Sequence, residues 1–446
     1  MTRILSLAEK GLTRLDEKSK PGDMILAALL ALCPLLQHYK GPVFNMAITV
    51  LVLATPYIAL RMLSKWKDIK LEKFLIVLIP VIYQLFRIVN HGTTVTEFGQ
   101  STVFIAFLLA LALECIDVHT LVRFSRLVCF AAALCLIAQY ICFYIFGFHL
   151  QLVVTSWLLP SAEQWILGAQ TGLAGVTGKL NDFYRPSAFF LEPSHVYIYT
   201  FPHLFILLFG RGSAWKTVAP AALLTVGMIL TTSGMAIAIV ACAWVVFFLL
   251  YNEKDGSFST KNIFRLRNVV AVGILLAVFV ILVITVPTVQ RTVNRIFNSK
   301  TGITAISGRV TEAIKRLKRM TWQEWIIGIA DTNADFRFNL PGALDAIYRH
   351  GLIGCVLSFE FYGKSVFKQK LQYFMVAIVI IATSFFSAHT HSTVGMLYYT
   401  FILMCGFRSA DEDPNDTLIG YGKELVHTVG GFFRKLFATA REGKRK

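Results

Sequence analysis

Long apolar runs follow one another along almost the whole chain, separated by short polar connections. Each is roughly 18–22 residues long, enough for a helix to cross a hydrocarbon core about 30 Å thick. They predict about twelve membrane-spanning helices. The runs lie near 24–38, 42–61, 73–90, 100–117, 127–148, 191–210, 217–232, 234–251, 268–287, 342–361, 371–387 and 392–407. The predicted fold class is therefore all-α, a polytopic helical membrane protein. Its membrane domain covers 24–407, after a cytoplasmic amphipathic segment at 1–23 and before a basic cytoplasmic tail at 408–446. The first segment carries Arg3, Lys10, Arg14, Lys18 and Lys20 around no apolar core, so it does not read as a cleavable signal peptide.

The polar connections assign the sides. Arg61, Lys65, Lys67, Lys70 and Lys73 mark one inner loop, and Arg123 with Arg126 the next. Arg211 and Lys216, then Lys254, Lys261, Arg265 and Arg267, then Lys364, Lys368 and Lys370 mark three more. Every second connection is basic, which predicts an even number of spans with both termini in the cytoplasm. The hairpin at 217–251 fits least well, because TTSG (231–234) must turn the chain outside. Two outer connections are long, at about 149–190 and 288–341, and both carry Trp, Ile and Leu at helical spacing. The halves of the chain share no repeat, which weighs against an inverted-repeat transporter.

Composition agrees. A chain of 446 residues with 56% hydrophobic content and mean hydropathy +0.62 is not an ordinary soluble domain. The net charge of +17 is explained by the inner loops and needs no nucleic acid partner. The cysteines at 33, 115, 129, 135, 142, 242, 355 and 405 fall in the runs or at their inner ends, which argues against a disulfide framework. No Cys/His spacing suggests a metal, HTH at 389–391 included, because two histidines at i, i+2 share no helix face. GLAGVTGKL (172–180) departs from the phosphate-loop spacing and has Leu180 where Ser or Thr is required.

Candidate chemistry concentrates in two places. RPSAFFLEPSH leads from the first long loop into the sixth run. At 100° per residue Glu192, His195, Tyr199 and His203 fall at about 0°, 300°, 340° and 20°, a stripe roughly 80° wide that must face the bundle or a wet cavity. Ionisable groups at membrane depth are expensive and mark function by default. Pro193 suits the first turn, which leaves Glu192 either as a helix cap or as a working carboxylate. The second place is the loop 288–341, which is basic despite lying outside. A helix from Arg309 to about Trp325 would put Lys315, Arg316 and Arg319 opposite Val310, Ile314, Leu317 and Met320, apolar side down on the outer leaflet. Arginine forks match phosphate oxygens, so an anionic partner is expected, either lipid phosphate or a diphosphate head group. Arg87, near the outer end of the third run, either lines a cavity or snorkels.

The order of these features resembles the bacterial O-antigen polymerases (Wzy type) and the related O-antigen ligases. The resemblance rests on RPSAFFLEPSH, with Arg185, Glu192, Pro193 and Ser194, on the span ending LTTSG, and on WIIGIADTNADFRFNLPGALDAIYRHGLIG, with Gly328, Asn339, Gly351 and Gly354. It covers most of the chain as topology but only short stretches as motif. TTSGM lacks the Arg of the ligases, and Phe338 precedes Asn339 where they carry His, which favours polymerase over ligase.

The resemblance implies a metal-independent, cofactor-free glycosyltransferase of the GT-C type in the bacterial inner membrane, working on its outer, periplasmic face. It would polymerise undecaprenyl-diphosphate-linked oligosaccharide repeat units into a surface polysaccharide. Membrane lipids, a chain-length regulator and a flippase are the further partners implied. In that chemistry Arg185, Arg309, Arg316 and Arg319 are the expected diphosphate clamp, with Arg337 a further candidate. Glu192 is the expected base, His195 or His350 would orient the sugar, and Tyr199, His203 and Arg87 would line the cavity. A lipid-linked oligosaccharide flippase would instead spread its cations along central spans. A non-catalytic assembly subunit would use the basic helix only for docking.

Overall fold

A computed structural model describes residues 21–40, 44–65, 71–90, 95–150, 152, 185–210, 214–252, 257–259, 262–263, 265–285, 290, 311, 313–329, 342–367, 371–385 and 393–406. The termini at 1–20 and 407–446, the GLAGVTGKL and HTH stretches, Arg309, Arg337 and Asn339 lie outside the described residues.

The described chain is all-α. Its helices are α1 (Pro21–Leu36), α2 (Met46–Lys65), α3 (Leu71–Asn90), α4 (Val95–Ala112), α5 (Val118–Tyr144), α6 (Pro193–Phe209), α7 (Ala214–Leu230), α8 (Gly234–Leu250), α9 (Leu266–Thr285), α10 (Trp322–Ile327), α11 (Gly342–Phe367), α12 (Leu371–Ser384) and α13 (Thr393–Cys405). One short antiparallel pairing, Tyr251–Asn252 with Ser257–Phe258, closes the turn after α8. Every apolar run thus carries a helix. By length and composition α2 and α5 alone among the described residues are long and apolar enough to cross a membrane. Shorter apolar helices occupy Pro21–Leu36, Gly234–Leu250, Leu371–Ser384 and similar stretches.

The helices run back and forth, and contacts sort their ends. At one end Asp23, where α1 starts, accepts hydrogen bonds from Tyr57 (2.8 Å) and Arg61 (3.0 Å) near the end of α2. Lys65 donates to the Glu114 carbonyl beyond α4 (2.7 Å), and Cys405 at the end of α13 meets His119 in α5 and Tyr373 in α12. At the other end Tyr39, beyond α1, packs with Leu191, just before α6. The basic residues Arg61 and Lys65 and the Leu191 entry to α6 therefore lie at opposite ends of the bundle.

Helix α6 is the centre. Its side chains are buried on every face except at Ser194 and Ile198, wrapped by α5, α7, α8 and α12. The periphery is the reverse. On α9 Leu266, Val269, Val270, Ile274, Leu276, Val280, Ile281 and Ile284 are all exposed, and on α2 so are Leu53, Leu60 and Leu63. A water-soluble monomer rarely shows so continuous an apolar surface.

Two expectations need correction. The fifth run was expected to start near 127, with Arg123 and Arg126 in a loop. Helix α5 instead starts at Val118, because the Asp117 carboxylate caps it by accepting from the Thr120 N–H (3.0 Å), so both arginines are helical. The helix expected from Arg309 to Trp325 is interrupted. Helical backbone ends near Lys318, and Thr321 starts α10 with a capping box, accepting from the Glu324 N–H (3.3 Å) while Glu324 accepts from the Thr321 N–H (2.6 Å).

Candidate functional site

The structure sorts the candidates into two groups, one at the head of α6 and one between α3 and α11.

At the head of α6, the turn Arg185–Leu191 is held by a residue far away in sequence. Ala188 sits at φ 53°, a left-handed conformation costly for a residue with a Cβ. Gln139 of α5 clamps it there. Its Oε1 accepts from the Ala188 N–H (2.8 Å), and its Nε2 donates to the carbonyls of Ala188 (3.2 Å) and Leu150 (3.0 Å). One buried amide thus fixes the strained turn and the start of the long loop together.

Glu192 occupies the N-cap position and Pro193 the first turn, yet the Glu192 side chain makes no capping hydrogen bond. Its Oε2 accepts from the Ser194 hydroxyl at 2.7 Å. The residue is half-buried. Arg185, also half-buried, begins the same turn.

Below Glu192 the stripe is real but partly committed. The His195 ring stacks on His38, with centroids 4.1 Å apart and planes 3° from parallel. Tyr199 stacks on Tyr398 at 5.0 Å and donates its hydroxyl to the Ala31 carbonyl (2.6 Å). His203 is fully buried and pairs through Nε2 with the Tyr398 hydroxyl (3.1 Å), while Tyr398 and Tyr399 donate to the carbonyls of Tyr199 and Ile198. His195 and Tyr199 line a narrow, mostly apolar cleft with room for little more than water, whose other walls include Gln37, Phe190, Tyr398 and Tyr399. His203 is not among its walls; it lies deeper, as a buttress for Tyr398. Such a cleft offers flat aromatic faces and a few polar edges, with Phe190 only two residues from Glu192.

The second group is built on a broken helix. Helix α11 is interrupted at Gly351 (φ 66°, ψ −172°), and Gly328, the C-cap of α10, sits at φ 86°, ψ 174°. A Cβ on Gly328 would collide with the Arg349 carbonyl, and one on Gly351 with the Ile326 carbonyl. The Tyr348 carbonyl, freed by the break, accepts from the Ile329 N–H at 3.0 Å. The 313–329 segment is thereby docked onto α11, with Ala313, Leu317 and Met320 packed against Tyr348. The apolar side of the 313–320 segment faces protein there, not the outer leaflet expected, while Ile314 remains exposed.

Arg316 lies over the Tyr348 ring, 5.9 Å from its centroid, and Arg319 is exposed. His350 is buried edge-on against Tyr83 (5.6 Å), with Gly354 leaving room for its side chain. Arg87 lies over the other side of this cluster, 6.0 Å from the Tyr83 centroid. Arg349 pairs with Asp345 at 2.8 Å.

His195 and Tyr199 therefore share one cleft, with Glu192 at the head of the same helix, and His350 and Arg87 both meet Tyr83. Arg309 and Arg337 of the expected clamp lie outside the described residues, whereas Arg185, Arg316 and Arg319 lie within them. Sequence reasoning missed Gln139, Gln84 and the two tyrosines of α13, single polar residues in apolar runs that leave no periodic signal. Among the described residues no group of histidine, cysteine and carboxylate side chains is gathered as a metal site would need. No family model, curated protein or solved structure matches this chain.

Proposed function

We propose that this chain is an integral-membrane polysaccharide polymerase with about twelve spans, acting on lipid-diphosphate-linked oligosaccharides at the outer face of the membrane. Support for the membrane comes from the exposed apolar surfaces of α2 and α9, which suit lipid and not water. The order of basic connections puts the loops after α5 and α9 outside. The reaction joins the anomeric carbon of one lipid-linked glycan to a hydroxyl of another repeat unit. The bond from that carbon to the diphosphate breaks, the new glycosidic bond forms, and the hydroxyl proton passes to a base.

The observation that carries this reading is Glu192. A half-buried carboxylate at a helix head, free of the capping role that would explain it, stands three residues before His195, which lines a narrow aromatic cleft. It is our candidate base. Arg185, Arg316 and Arg319, with Arg309 and Arg337 by sequence, are the candidates to stabilise the departing diphosphate. His195 and His350 are the candidates to orient sugars. A carboxylate base and a bound anion need no nucleotide, because the lipid diphosphate is already activated.

The test is to incubate purified protein in proteoliposomes with isolated lipid-linked repeat units and to size the glycan. A polymerase gives a ladder of lengths. A flippase moves the repeat unit across the bilayer without lengthening it, and an assembly subunit does neither.

A further inference from the structure

We infer that Gln84 and Arg87 of α3 form a binding site within the bundle for a phosphate-bearing sugar. Gln84 is 0% exposed, and neither its Nε2 nor its Oε1 has a hydrogen-bond partner. A buried amide left wholly unsatisfied is rare, and each lost partner carries a desolvation cost. Arg87, one turn further along, is half-buried, and its Nε is buried without a partner. Among the described residues no carboxylate pairs with it. Its guanidinium rests on the Tyr83 face, which holds the plane in position without supplying a counter-charge.

These are not scattered features. Ile82, Leu85 and Val89 mark the exposed side of α3, whereas Val77, Tyr83 and Gln84 are buried. At 100° per residue Arg87 falls between Tyr83 and Gln84, about 40° from one and 60° from the other. Residues three apart on a helix are neighbours, so the two side chains leave α3 from adjacent positions on one side. His350 of α11 closes the cluster from across Tyr83.

The donor set defines the ligand. An unpaired guanidinium in an apolar bundle calls for an anion, and its fork suits phosphate oxygens. The amide adds two N–H donors for the same anion and one carbonyl acceptor, which an anion cannot satisfy but a sugar hydroxyl can. A sugar phosphate satisfies all three. That this phosphate belongs to a lipid-linked glycan rests on the function proposed above; the site itself does not.

The experiment uses purified full-length protein in lipid nanodiscs. Farnesyl diphosphate, glucose 1-phosphate, inorganic diphosphate and farnesol are titrated by calorimetry, and thermal unfolding is followed in parallel. Glucose 1-phosphate is expected to bind the parent most tightly and raise its Tm, farnesyl diphosphate, which lacks sugar hydroxyls, more weakly, and farnesol not at all. Arg87→Gln should weaken binding about tenfold or more, the size expected for one charge-assisted contact. Gln84→Leu should weaken it several-fold and leave the unliganded Tm unchanged or higher, since an unsatisfied amide is removed. Gln84→Glu supplies the missing counter-charge from within, so its Tm should rise and anion binding should disappear.

Binding of inorganic or farnesyl diphosphate as tight as that of glucose 1-phosphate, or tighter, would reduce the site to an anion site and overturn the sugar assignment. No binding by the parent, or equal binding by the parent and all three variants, would overturn the proposal entirely. Glycan lengthening left intact in variants that bind as the parent does would sink this site and spare the polymerase. Binding lost in the variants of a protein that never lengthens glycan would do the opposite.

Discussion

Gly328 and Gly351 each press against the other's chain segment: a Cβ on Gly328 would strike the Arg349 carbonyl, and one on Gly351 the Ile326 carbonyl. Both sit at positive φ with extended ψ, a region essentially restricted to glycine. The break in α11 and the end of the outer-loop helix are thus one feature. It presents His350 toward Tyr83 and lets the Tyr348 carbonyl bind the loop.

Gly328→Ala and Gly351→Ala should each cost at least about 1–3 kcal/mol from backbone strain, with the steric collision added. Loss of Tm in detergent, larger than for alanine at the open Gly273, is the expected result. Tm values equal to the parent would mean the two segments do not meet as described.

Gln139 makes a separable prediction. Gln139→Leu strands the Ala188 N–H and carbonyl and should destabilise the protein by about 1–3 kcal/mol. Ala188→Gly removes the strain of a left-handed alanine and should be neutral or stabilising by about 1 kcal/mol. Thermal unfolding of the two single variants and the double variant checks this. The glycine should recover part of the loss, because the turn no longer depends wholly on the clamp.

The basic face of the outer loop divides by environment. Arg319 is exposed, so Arg319→Gln should leave Tm unchanged. If it binds diphosphate, donor affinity should fall by about 1.5–3 kcal/mol, roughly 10- to 150-fold. Arg316→Gln also removes the stack on Tyr348 and should lower Tm by a small amount in addition, about 0.5–1 kcal/mol. An Arg319→Gln variant that binds donor as the parent does would assign this face to lipid contact alone.

Sidedness has its own test. In a variant lacking the native cysteines, Lys315→Cys should react with an impermeant thiol reagent in intact cells with a permeabilised outer barrier. Ser257→Cys, in the turn after α8, should react only after the inner membrane is opened. The reverse pattern would invert every site assignment.

The helices were legible because an apolar run of span length leaves a strong signal. Their ends were less so. His119–Arg126 reads as a polar connection, yet the Asp117 cap carries the helix through it, since a helix can outlast the apolar run it serves. Thr321-Trp-Gln-Glu324 is a capping box visible in the sequence, and the amphipathic pattern on both sides hid it. The stripe from Glu192 to His203 followed from helical geometry alone. What the pattern cannot carry is partnership. The stacking of His38 on His195, the clamp from Gln139 and the reciprocal glycines join residues distant in the chain, and the unsatisfied amide of Gln84 looks in sequence like any glutamine.

The most direct measurement concerns Glu192. Purified parent and Glu192→Gln protein, matched for folding by Tm and for donor binding, are given lipid-linked repeat units, and glycan length is followed in time. Glutamine keeps the shape and an oxygen to accept from Ser194 but cannot take the proton of the acceptor hydroxyl. The account predicts a ladder from the parent and extension about 10²–10⁴-fold slower from the variant, with donor still bound. Extension by Glu192→Gln at the parental rate, or no extension by the parent, would contradict it.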